Sequence, residues 1–159
     1  MAKLDLSLTA DELNAYLREQ RTVRVATVGS DGIPHVVPLW FVWDDGTMYL
    51  NSTLGNVTVE NAMRTGRASA VADDGETYDA LRGVVVTGTV DRLDDDSDEA
   101  RVAERLWSEK FFAGGEVPYR RWRNRAWFRL SPERVSSWDF RKIPEARASR
   151  ASARQAGRA

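Results

Sequence analysis

Apolar and polar residues alternate along much of the first half of the chain. Val23, Val25 and Thr27 alternate with Arg24, Ala26 and Val28, which predicts a strand over about 23–28. Ser30-Asp31-Gly32 reads as a turn, its glycine free to take positive φ. A second strand over about 35–43 is apolar on both faces. Val37, Leu39, Phe41 and Trp43 form one set; Val36, Pro38, Trp40 and Val42 form the other. A strand buried on both sides suits a barrel wall that also meets a partner subunit. Pro38 cannot donate to a ladder, which predicts a bulge or break there. Asp44-Asp45-Gly46 then turns the chain into a third strand over about 48–51.

Helical spacing is confined to short stretches. Thr9 and Glu12 form a capping box ahead of Leu13, Tyr16 and Leu17, which share one face. The Ser52-Thr53-Leu54-Gly55 loop leads to a polar helix over about 56–64. Strands are predicted over about 68–72 and 83–93, the second with Val84, Val86, Gly88 and Val90 on one face. Asp94, Asp95, Asp96, Asp98 and Glu99 open another helix, where acidic residues suit the macrodipole. Val102, Ala103, Leu106, Trp107, Lys110 and Phe111 carry its spacing, and Gly114-Gly115 ends it. An Arg- and Trp-rich linker over 119–125 precedes a strand at about 126–130, a turn at Ser131-Pro132-Glu133 and a last strand at about 135–140. The ending PEARASRASARQAGRA has almost no large apolar side chain to offset its ordering entropy. Residues 144–159 are therefore expected to be a flexible basic tail on a domain of residues 1–143. Six or seven strands with hairpin-like links and a few short helices predict a mainly β (α+β) antiparallel barrel.

At 159 residues the chain suits one domain with a real core. A net charge of -1 gives no global attraction to nucleic acid or anionic membrane. The absence of Cys excludes disulfides, thiolate zinc sites, iron–sulfur clusters and cysteine nucleophiles. The first residues show no apolar leader, and no apolar run approaches the ~20 residues a membrane helix needs. A cytoplasmic, membrane-free protein is expected.

The order of several segments is specific. RVATVGSDGIPHVVPLWF from Arg24 to Phe41 is followed by Asp45-Gly46, Asn51-Ser52-Thr53 and a helical Asn61. RGVVVTGTVDRL and LSPERVSSWDF come next. Over about residues 10–140 this resembles the flavin-binding split-barrel family related to pyridoxamine 5'-phosphate oxidase. The wording around Pro38 and Trp40 is similar to its flavin/deazaflavin-dependent reductase branch of actinobacterial type. The resemblance implies a six- to seven-stranded antiparallel split β-barrel with short peripheral helices. It also implies a homodimer with cofactor sites at the subunit interface, and FMN or the deazaflavin coenzyme F-420 as cofactor. Positions matching Val37, Pro38, Leu39 and Trp40 would line the ring. Those matching Asn51, Ser52, Thr53, Thr58 and Asn61 would hold the phosphate and ribityl chain. Hydroxyls and free N–H groups at a helix N-terminus suit a dianion.

The chain departs from relatives at two of these positions. Thr58 stands where they usually carry Lys, and Glu60 where they often carry Arg. Losing a cation removes a charge-assisted hydrogen bond of roughly 1.5–3 kcal/mol. Arg64, Arg67 or an arginine of 120–125 is the candidate replacement. Ser52 and Thr53 have no paired base, so no catalytic side chain is assigned.

The expected function is hydride transfer between the cofactor and a small planar substrate, the cofactor carrying the chemistry. The alternative is a non-catalytic flavin-, tetrapyrrole- or lipophilic-metabolite-binding protein on the same barrel, favoured by Thr58. A nucleic-acid module is a third reading, from the alternation of Arg120, Arg121, Arg123 and Arg125 with Tyr119, Trp122 and Trp127. A solvated rim or an anion contact competes with it. Trp40 is open between stacking on a ligand and packing, and His35 between a site residue and an ordinary strand residue. The acidic run 94–99 reads as a helix cap rather than a metal site. A true pyridoxamine phosphate oxidase is disfavoured, since little sequence follows Phe140 where those enzymes carry a further substrate-binding segment.

Overall fold

A computed structural model describes residues 4–117 and 124–156, the side chains from 153 onward excepted. Six antiparallel strands form a closed barrel in the order β1-β2-β3-β6-β5-β4. They are β1 Thr22–Val28, β2 Pro34–Asp44, β3 Thr47–Thr53, β4 Arg67–Asp74, β5 Arg82–Arg92 and β6 Arg125–Asp139. Four helices surround them: α1 Ala10–Glu19, α2 Val57–Thr65, α3 Asp98–Phe112 and α4 Ile143–Ala156. Among the described residues, no helix is long and apolar enough to cross a membrane.

The local signals act as their chemistry predicts. The capping box starts α1: Glu12 N–H donates to Thr9 Oγ1 at 3.3 Å and Thr9 N–H to Glu12 Oε2 at 2.7 Å. Trp43 Nε1 donates to Asn14 Oδ1 at 2.8 Å and pins that helix to the barrel. Asp45 and Gly46 have φ of 44° and 77°. Two successive left-handed residues make the two-residue hairpin turn whose twist matches its strands. Ser97 caps α3, its Oγ accepting from Ala100 N–H at 3.1 Å, so part of the acidic run serves a helix start.

β2 explains its two apolar faces by changing partners. Its 34–40 half pairs with β1, and Phe41–Asp44 pairs with β3. Phe41 and Trp43 fill the barrel interior with Val23, Val25, Met48, Val84 and Leu130. Val42 lies on the outer face, buried with Tyr49 and Trp127 beneath Ala103 and Trp107 of α3. Part of the second face is thus covered by the chain's own helix α3.

Two expectations need correction. No register shift marks Pro38: the β1–β2 ladder runs without interruption from Thr22↔Trp40 to Val28↔Pro34. Because β3 reaches only Phe41–Asp44, the other edge of this half of β2 has no partner strand among the described residues, and proline is tolerated on an edge. The irregularity lies instead between β5 and β6. Thr87 pairs with Arg134 and Gly88 with Pro132, leaving Glu133 as the extra residue. The predicted turn at 131–133 is therefore a bulge inside one fifteen-residue strand. Gly88 permits it, since a Cβ there would lie 1.8 Å from the Ser131 carbonyl oxygen. Within the segment expected to be a flexible basic tail, Ile143–Ala156 is helical. Ala, Arg, Glu and Gln are strong helix formers, and Pro144 sits in its first turn, where proline fits.

Candidate functional site

Strand alternation divides the predicted site between two faces of one wall. Val23, Val25 and Thr27 point into the barrel and pair with Leu39, Val37 and His35, so those three β2 residues share the inner side. Val36, Pro38 and Trp40 lie on the outer side. The same division runs through β3. Leu50 and Ser52 pair with the inward Phe128 and Ala126, whereas Asn51 and Thr53 pair with Trp127 and Arg125.

The inner half is a polar barrel end closed by α2. Asn56 caps this helix, its Oδ1 accepting from Val59 N–H at 2.8 Å while its Nδ2 donates to Ser52 Oγ at 3.0 Å. Buried Asn61 donates from Nδ2 to Thr27 Oγ1 at 3.3 Å. Thr58 Oγ1 lies 3.1 Å from His35 Nε2. Arg64 crosses from α2 to the Val28 carbonyl. Leu39, Ser52 and Thr58 also line a narrow cavity of about 20 Å³, room for one water.

The outer half is aromatic and cationic. Trp40 stacks on Phe111 of α3, ring centroids 4.5 Å apart and planes within 2°. Trp107 stands edge-on to Trp127 at 5.3 Å. Arg125 donates from Nε to Asn51 Oδ1 at 2.5 Å and from a terminal nitrogen to the Asn51 carbonyl at 2.8 Å. Burial pushes the Arg125 pKa below the ordinary arginine value, the mark of a partly dehydrated cation. Asn124 brings this residue beside the loop before α2: Leu54 N–H donates to the Asn124 carbonyl at 2.8 Å, and Asn124 Nδ2 returns to the Leu54 carbonyl at 3.0 Å. Arg125, Asn51, Thr53 and the α2 N-terminus therefore converge at one end of β3.

The nine predicted residues are thus not one surface. Val37, Leu39, Ser52, Thr58 and Asn61 belong to the inner side, and Pro38, Trp40, Asn51 and Thr53 to the outer. Trp40 packs against its own chain and remains partly exposed. Of the candidate replacement cations, Arg67 is paired with Glu133, Arg64 is held beside Asn61, and Arg125 is placed on Asn51. Tyr119, Arg120, Arg121, Trp122 and Arg123 lie outside the described residues. The sequence offered no local signal for the Arg125–Asn51 contact, which depends on the β3–β6 register.

The model of the pyridoxamine 5'-phosphate oxidase family matches residues 9–139. The chain belongs to this family. No curated sequence matches it. Solved structures show the family's barrel at lower identity. A conserved hypothetical protein of Mycobacterium tuberculosis is 26% identical with a TM-score of 0.77, covering 91% of this chain and 92% of its own. A FAD-binding protein of Mesorhizobium loti is 27% identical with a TM-score of 0.66, covering 82% and 93%. A heme storage protein of Vibrio cholerae shares the fold at 17% identity, with a TM-score of 0.66 and coverage of 82% and 96%.

Proposed function

We propose that this member of the family is an oxidoreductase that binds FMN or the deazaflavin coenzyme F-420 on the outer face of the barrel. The observation that carries the reading is the convergence of Arg125, Asn51, Thr53 and the α2 N-terminus. There a half-buried guanidinium takes the place of the cation missing at Thr58. The inner residues are turned to one another around a narrow cavity of about 20 Å³, which favours the outer side for the phosphate. Ser52, Thr58 and Asn61 then act by holding α2 in position. On the outer side Arg125, positioned by Asn51, would supply the charge that a phosphate arm needs, and Pro38 and Trp40 an apolar edge for a ring. The bound cofactor would supply the hydride chemistry for a small planar substrate. The chain's own residues bind it, orient it and exclude water. The Mesorhizobium loti neighbour binds FAD by its name, which supports a flavin-type ligand here.

Two copies of the chain form the working unit in this reading. Val36 and Trp40, on the outer side of β2, are 58% and 43% exposed, and with Pro38 between them they make an apolar strip that a second subunit would cover. A cytoplasmic place fits the cysteine-free sequence. A non-catalytic ligand-binding protein on the same barrel is the second reading. It is favoured by Thr58 and by the acidic Glu60 on the exposed face of α2.

Titration of the purified protein with FMN and with oxidised and reduced coenzyme F-420, followed by absorbance and fluorescence, tests the proposal. Low-micromolar binding of one of them is expected, with about tenfold or greater loss in Arg125→Gln. Absence of binding by all three at about millimolar concentration, or binding indifferent to Arg125, would overturn it.

A further inference from the structure

A second feature, independent of the reading above, lies between α1, the end of β2 and α3. The chain has three lysines, Lys3, Lys110 and Lys142. Lys142 is salt-bridged to Glu12 at 2.5 Å. Lys110 is different. Its Nζ is buried and, among the described residues, has no hydrogen-bond partner. Around it are ring faces, with Phe41 at 4.3 Å and Phe111 at 5.7 Å from the ring centroids. A cation–π contact relieves part of the desolvation of an ammonium but supplies no acceptor for its protons.

Lys110 also lines an open groove of about 580 Å³, a volume typical of small-molecule sites. Val42, Trp43 and Leu106 give the groove an apolar lining, with Arg18 from α1, Asp44 from β2, and Arg105 and Glu109 from α3 as its charged members. Arg105 and Glu109 form an ion pair at 3.0 Å and offset each other. Arg21 adds a further cation, donating to the Lys110 carbonyl at 3.2 Å and lying over the Phe111 ring. The balance around the ammonium is positive, with Asp44 its one unneutralised acid on the lining. Burial and the neighbouring Arg21 charge push Lys110 down to about 8.

We propose that this groove is a binding site for a small carboxylate ligand with an apolar body, the Lys110 ammonium turning out from its buried place over the Phe41 ring to meet the carboxylate together with Arg18. A carboxylate supplies the missing acceptor and neutralises the excess charge, while a hydrocarbon or aromatic body lies on Val42, Trp43 and Leu106.

Phenylacetate is a suitable probe, with phenylacetamide as its uncharged counterpart. Side-chain NMR of 13C-labelled lysine reads the site directly, because the protein carries only three such residues. Saturable binding is expected to move the Lys110 signal and leave Lys142 in place. In the complex the Lys110 titration midpoint should rise above about 8. The amide should bind at least about tenfold more weakly, and Lys110→Met should cost the acid at least about tenfold. Arg18→Gln, on the rim, should weaken binding several-fold without disturbing the core. Equal affinity for acid and amide, unchanged affinity in Lys110→Met, a response at Lys142 instead, or no saturation by about 10 mM would each overturn the proposal.

Discussion

Under α2, Asn61 donates to Thr27, Asn56 links Ser52 to the Val59 amide, and Thr58 meets His35. Under α3, the Lys110 ammonium meets ring faces and, among the described residues, no hydrogen-bond acceptor. Both regions bury polar side chains next to apolar ones. At the α2 end those groups answer one another across helix and strand, so they hold the barrel's lid in register. At the α3 groove the charge is left without an acceptor, which weakens the empty protein and leaves a demand that a ligand can meet. Site candidates chosen by residue type alone would rank the α2 end first. The buried charged group without any acceptor among the described residues is the Lys110 ammonium, on the outer side.

Substitutions can break this contrast. The largest expected effect is at Asn61. Asn61→Leu removes the partner of buried Thr27 and should cost about 2 kcal/mol, read as a lower urea midpoint, with the Lys110 NMR signal unmoved. An unchanged midpoint would mean that α2 is not held by its polar contacts. Asn56→Ala comes next, at about 1 kcal/mol for a lost helix cap, in the same assay. Lys110→Met should act with opposite sign and stabilise the empty protein by somewhat under about 1 kcal/mol at neutral pH, after allowance for solvent screening.

The pH dependence sharpens the same point. Lys110 is lowered from 10.5 to about 8, so between those values the unfolded chain binds more protons at this residue than the folded one. Stability should therefore rise with pH across that window, and the burden should be fully present below about 8. Denaturant melts at several pH values would show this slope in the natural protein and its reduction in Lys110→Met. Identical slopes would remove Lys110 as the cause.

Much of the fold was legible because its signals are local. The Thr9/Glu12 box, the Asp45-Gly46 turn and the alternation of β1 each depend on a few adjacent residues. The family resemblance was legible for a similar reason, since it follows the order of short segments. The bulge at 131–133 was not, because it requires Gly88 on a strand more than forty residues earlier to let the Ser131 carbonyl approach. The division of Val37–Trp40 between two faces is present in the period-two pattern, whereas the family resemblance follows consecutive residues and carries no information about side. Arg125 on Asn51 spans 74 positions and follows only from the β3–β6 register. Lys110 read as a helix-face residue, and its missing partner is a fact of packing that no spacing reveals.

The order of strands in the barrel has a consequence for how the protein is made. β6 is the last strand in the chain, yet it fills the gap between β3 and β5. While a ribosome is still synthesising residues 125–139, both of those neighbours present open edges, and the earlier strands form a sheet that cannot close. Leu6 is reached as late, since its carbonyl accepts the Asp139 N–H at 2.7 Å. Folding of this barrel should be slow for its size and governed by long-range closure, with the nascent chain most prone to self-association just before its final strand emerges.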